Sequence, residues 1–270
     1  MGSSESPQEL EATACEAACA AGLLLRGRFR RGDLGTPESK GLHDFVTVAD
    51  REAEAAVVSV LRARHPGHTI MAEEGAPTAA RSGYRWIVDP LDGTTNFIHG
   101  VTPFAVSVAV EDEAGIVAGA VHDPMHDETF HAWRGGGARL NGSAIHCSSP
   151  GSPGEALVAT GLPFRELERL PQYLEALEAV LRKTAGLRRA GSAAIDLAHT
   201  ACGRYDGFFE LGLSRWDVAA GILLVREAGG FVTDWLGRDR ALETGDIVAG
   251  GPALQRWLCG ITTVALGGAA

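Results

Sequence analysis

The sequence predicts an α+β fold in which a strand-rich N-terminal part and an α/β C-terminal part share one cleft. Three observations predict it. Between residues 104 and 133, apolar positions recur at strand spacing with turns between them. After Pro153, short apolar strands alternate with helical stretches. No low-complexity linker separates the two textures near residue 150. The chain is therefore read as an N-terminal α+β lobe, residues 1–150, and a C-terminal α/β lobe, residues 151–270, of one structural unit.

The elements follow in order. Ser6 and Pro7 are a helix start, an N-cap followed by proline at the first position, and the helix runs to about residue 29. Residues 30–43 are Gly- and charge-rich and read as a loop. A second helix spans about 49–64 and is broken by His65-Pro66-Gly67-His68. Residues 69–72 form a short strand ending at Glu73-Glu74, residues 75–83 a small-residue loop, and residues 84–88 the next strand. Strands are expected at 104–110, 115–122 and 129–133, then a glycine-rich reversal and hairpin through Arg134–142. Gly135-Gly136-Gly137 lacks the spacing and the lysine of a nucleotide loop, so a structural turn is the better reading. In the second part, strands are expected at 156–160, 207–211, 230–234 and 247–249. Helices are expected at about 170–183, 192–202, 217–228 and 252–259.

Composition bounds the class. A chain of 270 residues with 45% hydrophobic and 21% charged residues buries a sizeable core and is globular, not disordered. Its many Ala and Gly residues predict close backbone packing in places. The formal charge of −10 makes it a poor polyanion binder, so no direct nucleic-acid partner is expected. An anionic substrate would then need cations held locally. The five cysteines are odd in number and form no zinc-type pattern, so they read as reduced core thiols. His122 and His126 lie four apart, but Pro124 between them argues against a helical zinc pair. No basic segment with an apolar core opens the chain, and the apolar runs are too short for a bilayer. The expectation is a cytoplasmic protein with no membrane partner.

The chemistry concentrates in Trp86-Ile87-Val88-Asp89-Pro90-Leu91-Asp92-Gly93-Thr94-Thr95-Asn96-Phe97. Carboxylates at a strand end suit a hard divalent cation, which prefers oxygen ligands. The Gly-Thr-Thr that follows offers N–H groups and hydroxyls to an anion, as a turn into a helix does. A cation site beside an anion site is what phosphate chemistry requires, so a magnesium-dependent phosphatase is expected. Taken singly, each carboxylate has an ordinary explanation. Asp217 reads as an N-cap, Asp44 and Asp50 as loop and cap residues, and Glu73-Glu74 as a solvated turn.

The combination is more specific. Residues 89–97 resemble the signature of the inositol monophosphatase family. Asp44-Phe45-Val46-Thr47-Val48-Ala49-Asp50, Glu73-Glu74-Gly75 and Trp216-Asp217-Val218-Ala219-Ala220-Gly221 are similar to further blocks of that family, in the right order. Gly191-Ser192-Ala193-Ala194 and Gly207-Phe208-Phe209-Glu210 match as well. The resemblance runs from about residue 8 to 260 and points to the bacterial inositol-1-monophosphatase branch. It implies the layered αβαβα sandwich of the sugar-phosphatase superfamily, with two lobes sharing one metal-binding cleft.

By the same resemblance, two to three Mg²⁺ ions are bound per site. Glu73, Asp89 and the Leu91 carbonyl would hold the first, and Asp89, Asp92 and Asp217 the second. A third would lean on Glu73 and waters. Glu73 and Thr94 would orient a metal-activated water and take its proton, with Asp50 hydrogen-bonded to Thr94. Gly93, Thr94 and Thr95 would bind phosphate at the start of a short helix. Ala193, Glu210 and Asp92 would contact the leaving alcohol. Lys40 and Glu74 are possible accessory residues. The implied activity is hydrolysis of inositol 1-phosphate and similar polyol phosphates, by direct transfer to water, in a Li⁺-sensitive homodimer. Relatives act on histidinol phosphate, fructose 1,6-bisphosphate or 3′-phosphoadenosine 5′-phosphate, and these stand as alternatives. A further alternative is an additional protein-binding role in RNA synthesis or processing.

Overall fold

The structure is a computed structural model and describes residues 5–34, 36–41, 44–75, 83–164 and 166–267. Its N-terminal segment contains α1 (Pro7–Arg31), β1 (Glu38–Gly41), β2 (Asp44–Val46) and α2 (Val48–Arg64). There follow β3 (Thr69–Ala72), β4 (Arg85–Asp92), α3 (Thr94–Ile98), β5 (Ala105–Asp112), β6 (Gly115–Asp123), β7 (Glu128–Trp133), β8 (Ala138–Leu140) and β9 (Ser143–Ala144). The rest comprises β10 (Leu157–Thr160), α4 (Leu170–Leu181), β11 (Gly186–Arg188), α5 (Ala193–Ala201), β12 (Gly207–Glu210) and α6 (Arg215–Glu227). The chain then ends with β13 (Phe231–Thr233), α7 (Ala241–Thr244), β14 (Ile247–Gly250) and α8 (Pro252–Ala265).

Five layers alternate. A seven-stranded sheet runs in sequence order from β3 to β9, with β3 and β4 parallel and every later pair antiparallel. A five-stranded sheet has the order β11-β10-β12-β14-β13 and is mixed, since β10 pairs in parallel with β11 and β12. Helices α1 and α2 pack on one face of the first sheet, and α6 with α5 fills the space between the sheets. Helices α4 and α8 cover the outer face of the second sheet. This is the αβαβα sandwich that the family resemblance implies.

Both faces of the central strands are covered, which explains their sequences. β5 (Ala105–Asp112) and β6 (Gly115–Asp123) are buried at nearly every position, so they read as continuous apolar runs instead of alternating ones. Small residues let the middle layer close up. A Cβ on Gly119 would stand 3.2 Å from Ala220 of α6, and one on Gly221 would stand 2.6 Å from Leu197 of α5. The abundance of Ala and Gly has this use.

The expected helices and strands are present with shifted ends. α1 starts at the Ser6 cap, whose hydroxyl accepts from the Glu9 N–H, and stops at Gly32 in the left-handed region. Several features differ from the sequence reading, among them β11 and α7, which it does not anticipate. Residues 30–43, expected to be a loop, contain β1, which pairs with β2. α8 continues to Ala265 instead of ending near residue 259, because its buried Leu254, Leu258 and Thr262 keep one face on the sheet. Cys19, expected in the core, is exposed on α1, and all five thiols are free. The loop expected at 75–83 lies, from 76 to 82, outside the described residues. Among the described residues, no helix is long and apolar enough to cross a membrane.

One half-buried histidine sets an acid limit on stability. His199 of α5 lies between the rings of Phe130 and Tyr205, and its Nε2 accepts from Arg204 Nη1 at 3.1 Å. Burial, and after it the Arg204 charge, push the imidazole down to about 4. The unfolded chain, with an ordinary pKa of 6.5, therefore binds a proton that the folded chain refuses. Stability is unaffected above pH 6.5 and falls as pH drops from there towards 4, by up to ~3 kcal/mol in all. Thermal unfolding of His199→Gln against pH should show a shallower decline over that window than the parent. Parallel profiles would refute this.

Candidate active site

The site begins with a break in β4. Residues three apart on a regular strand face opposite sides of the sheet. Asp89 pairs with Ser107 and Asp92 with Ala105, so β4 carries one residue more than β5 across this interval. Pro90, which has no N–H to give to a ladder, lies within this bulged interval. The Leu91 N–H donates to Asp89 Oδ1 at 2.9 Å and fixes the turned-in carboxylate. One bulge thus brings both carboxylates to the same cleft.

Asp217 reaches them from α6, where its carboxylate accepts from the Ser214 N–H at 2.7 Å. Asp89, Asp92 and Asp217 each place one oxygen within 4.8 Å of the others. Asp92 is anchored from α5 by the Ser192 hydroxyl at 2.6 Å and the Ala194 N–H at 2.7 Å. Glu73, just beyond β3, lines the same cleft, and Leu91 lies beside it.

Behind the carboxylates, Thr94 donates its hydroxyl to Asp50 Oδ1 at 3.0 Å and lies 2.9 Å from the Leu91 carbonyl. Asp50 is 1% exposed, and its other oxygen accepts from the Thr47 N–H and hydroxyl, both at 2.7 Å. Its carboxylate is fixed by α2 on one side and holds Thr94 on the other. Gly93 precedes α3 with φ +91°, and a Cβ there would stand 3.1 Å from the Pro103 carbonyl and 3.2 Å from that of Gly191. Conformation and space both demand glycine. Thr94, Thr95, Ala193 and Glu210 line the cleft, a cavity of about 170 Å³. The Glu210 carboxylate lies over Gly161, where any Cβ would come within 1.9 Å of it.

The two possible accessory residues differ in what the structure describes of them. Glu74 does not line the cleft, and its N–H donates to Glu54 at 2.9 Å. Lys40 sits on β1, and the placement of its side chain lies outside the described part of the structure.

The electrostatics are those of an acid-rich, desolvated pocket. Burial, then the charges of Glu73, Asp92 and Asp217, raise Asp89 well above the usual carboxylate range. Asp92 is raised by burial against the lowering effect of its Ser192 and Ala194 hydrogen bonds. Glu210 is raised by burial and then by the charge of Asp196. Among the described lining residues Arg189 is the only cation, with its guanidinium 5.3 Å from the Phe164 ring centre. Three converging oxygen donors with so little positive charge fit a hard divalent ion, which would relieve the repulsion. The pattern of the sequence does not disclose Ser192, Arg189 or Asp196 as cleft residues. Ser192 carries the one usable signal, because a serine opening a helix is a cap whose hydroxyl is fixed in place.

A five-layer α+β scaffold with a cluster of carboxylates that could hold a hard cation at the end of a sheet is the fold and site of a phosphatase class. The chain belongs to the inositol monophosphatase family, whose sequence model matches residues 6–264. It is 47% identical over 242 residues to a protein of Pseudomonas aeruginosa named Nus factor SuhB, covering 88% of this chain and 89% of that one. It is 46% identical over 220 residues to the inositol-1-monophosphatase of Mesorhizobium japonicum, covering 81% and 83%. Among solved structures it resembles the extragenic suppressor protein SuhB of Bartonella henselae, with TM-score 0.90, 40% identity and coverage of 93% and 97%. It also resembles the inositol monophosphatase of Anabaena, with TM-score 0.85, 37% identity and coverage of 95% and 96%.

Proposed function

We propose that this chain is a Mg²⁺-dependent phosphomonoesterase that hydrolyses inositol 1-phosphate and similar polyol phosphates. The observation that carries the reading is the convergence of Asp89, Asp92 and Asp217 beside the Asp50–Thr94 hydrogen bond. Glu73, Asp89 and the Leu91 carbonyl would hold one Mg²⁺, and Asp89, Asp92 and Asp217 a second, with Glu73 supporting a third. Bound Mg²⁺ supplies positive charge to the phosphate and leaving oxygens and makes water in the site more acidic. Asp50 holds the Thr94 hydroxyl, so a Thr94 lone pair is aimed at the attacking water. Glu73 accepts the proton. The N–H groups of Gly93, Thr94 and Thr95 receive the phosphate, and the Ala193 backbone and Glu210 receive hydroxyls of the leaving alcohol. Transfer goes directly to water.

The division into lobes 1–150 and 151–270, a cytoplasmic location and a homodimer belong to the same proposal. Light scattering at working concentration tests the dimer. Phosphate release with and without Mg²⁺ tests the activity. The esters are inositol 1-phosphate, histidinol phosphate, fructose 1,6-bisphosphate and 3′-phosphoadenosine 5′-phosphate. A preference for inositol 1-phosphate that Li⁺ inhibits is the expected result. A preference for another ester would overturn the substrate, and no release at all would overturn the chemistry. Thr94→Val keeps the shape of the side chain and removes the hydroxyl. It should lower kcat by ~10²–10³-fold while Mg²⁺ still raises the thermal midpoint.

Relatives named Nus factor SuhB favour a second role, binding a protein partner in RNA synthesis or processing. A catalytically dead variant that still restores the phenotype of a deletion strain would support that role.

A further inference from the structure

The carboxyl of Asp196 has no task in the chemistry above, yet it lines the cleft. Asp196 sits in the first turns of α5, 1% exposed, and its backbone N–H is spent on the Ser192 carbonyl. Its Oδ1 is buried and has no hydrogen-bond partner among the described residues. A buried polar atom left in this state costs free energy and is rare in folded proteins. No described neighbour donates to it, although the Arg189 charge partly offsets the acids around it. Glu210 and Asp92 are acids, and Arg189, the nearby cation, faces the Phe164 ring. Asp92 already accepts from Ser192 and Ala194, whereas Asp196 accepts from nothing described. The cleft therefore ends in two classes of carboxyl. Asp89, Asp92 and Asp217 converge on one point. Asp196 and Glu210 face the same cavity without belonging to that cluster.

We propose that Asp196 is a specificity-determining residue whose carboxyl accepts a hydroxyl of the leaving alcohol, making the pocket selective for substrates with several hydroxyl groups. The inference rests on the phosphatase reading and extends it. A polyol brings its own donors and satisfies the orphaned oxygen, whereas an ester of an apolar alcohol leaves it unpaired. Discrimination of this kind is strong because the penalty falls on the protein's own buried group.

The experiment compares inositol 1-phosphate with p-nitrophenyl phosphate, which has no alcohol hydroxyl, at saturating Mg²⁺. Asp196→Ala should raise KM for inositol 1-phosphate by ~10-fold with kcat little changed, and leave KM for p-nitrophenyl phosphate as it was. Asp196→Asn retains an acceptor of the same shape and should restore most of the KM. Asp196→Leu, matched in shape and apolar, should behave like Asp196→Ala and serves if the smaller side chain impairs folding. Unchanged KM for both esters would mean that the atom holds only internal water, and it would overturn the assignment. Equal losses on both esters would overturn it too, by showing that Asp196 acts through the fold. If the parent protein hydrolyses neither ester, the phosphatase reading is what fails, and the assignment falls with it.

Discussion

Asp89→Asn is expected to lower Mg²⁺-dependent phosphate release by more than ~100-fold, the upper end of what losing a mere neighbour of a metal ligand brings. The same substitution should raise the thermal midpoint of the metal-free protein by a few degrees. Asp89 is 1% exposed, and after burial itself the charges of Glu73, Asp92 and Asp217 all raise it. Without a cation, folding must bring these charges together, and the cost is met partly by taking up a proton. An amide at position 89 removes one charge, keeps the shape and keeps the acceptor for the Leu91 N–H. Stability gained and activity lost then have one cause. The rise in midpoint that Mg²⁺ gives the parent should also shrink, since in the proposed arrangement the ions would lose the ligand they share. Calorimetry with and without Mg²⁺, run beside the release assay, reads all three effects. A variant that kept the parent rate, or whose metal-free midpoint fell by several degrees, would sink the assignment.

The parts of this site that are readable in the sequence are the covalently local ones. Asp89, Asp92, Gly93 and Thr94 fall within six consecutive positions, so one strand, one bulge and one short helix fix their relation. Asp50 is readable as a helix cap, and its bond to Thr94 then follows from where α2 begins. From its local sequence alone Asp217 reads as a cap; the family resemblance is what marks it as a ligand candidate, and its place in the site depends on α6 lying between the two sheets. Asp196 and Arg189 could not be read at all, because what marks them is a missing partner and a position in a wall built by distant segments. The same distinction governs the elements. β4 and β5 announce themselves by apolar runs, while β1, Glu38-Ser39-Lys40-Gly41, has no β-branched or aromatic residue and is a strand only because β2 lies beside it. β11 has three residues and depends likewise on its parallel partner β10. The end of α8 was misplaced because Gly260 lies at the helix surface, where nothing stands within 4 Å of the place for a Cβ, and packing of the other face carries the helix past it.

Trp235→Ala should cost ~3–5 kcal/mol, a large share of the ~5–15 kcal/mol by which a domain of this kind is stable. The indole is 0% exposed in the outer core, stacked 6.2 Å from the Tyr173 ring and tilted 6.1 Å from that of Phe209. Its backbone carbonyl accepts the Thr262 hydroxyl at 3.0 Å, which ties the turn after β13 to α8. Its Nε1–H donates to the Glu210 carbonyl at 2.9 Å, so the same side chain that fills the outer core also braces the strand end bearing the acid of the cleft. Trp235→Phe separates the two roles. It keeps an aromatic body and removes the donor, so it should cost only ~1–2 kcal/mol in urea unfolding. The Glu210 carboxylate has little room to adjust, because it lies directly over Gly161. Loosening the β12 end should therefore raise KM for a polyol ester several-fold and leave p-nitrophenyl phosphate hydrolysis unchanged. A phenylalanine variant with parent KM for both esters would show that the outer core supports the fold without setting the substrate wall. A raised KM for the polyol ester alone would show that stability and specificity pass through the same indole.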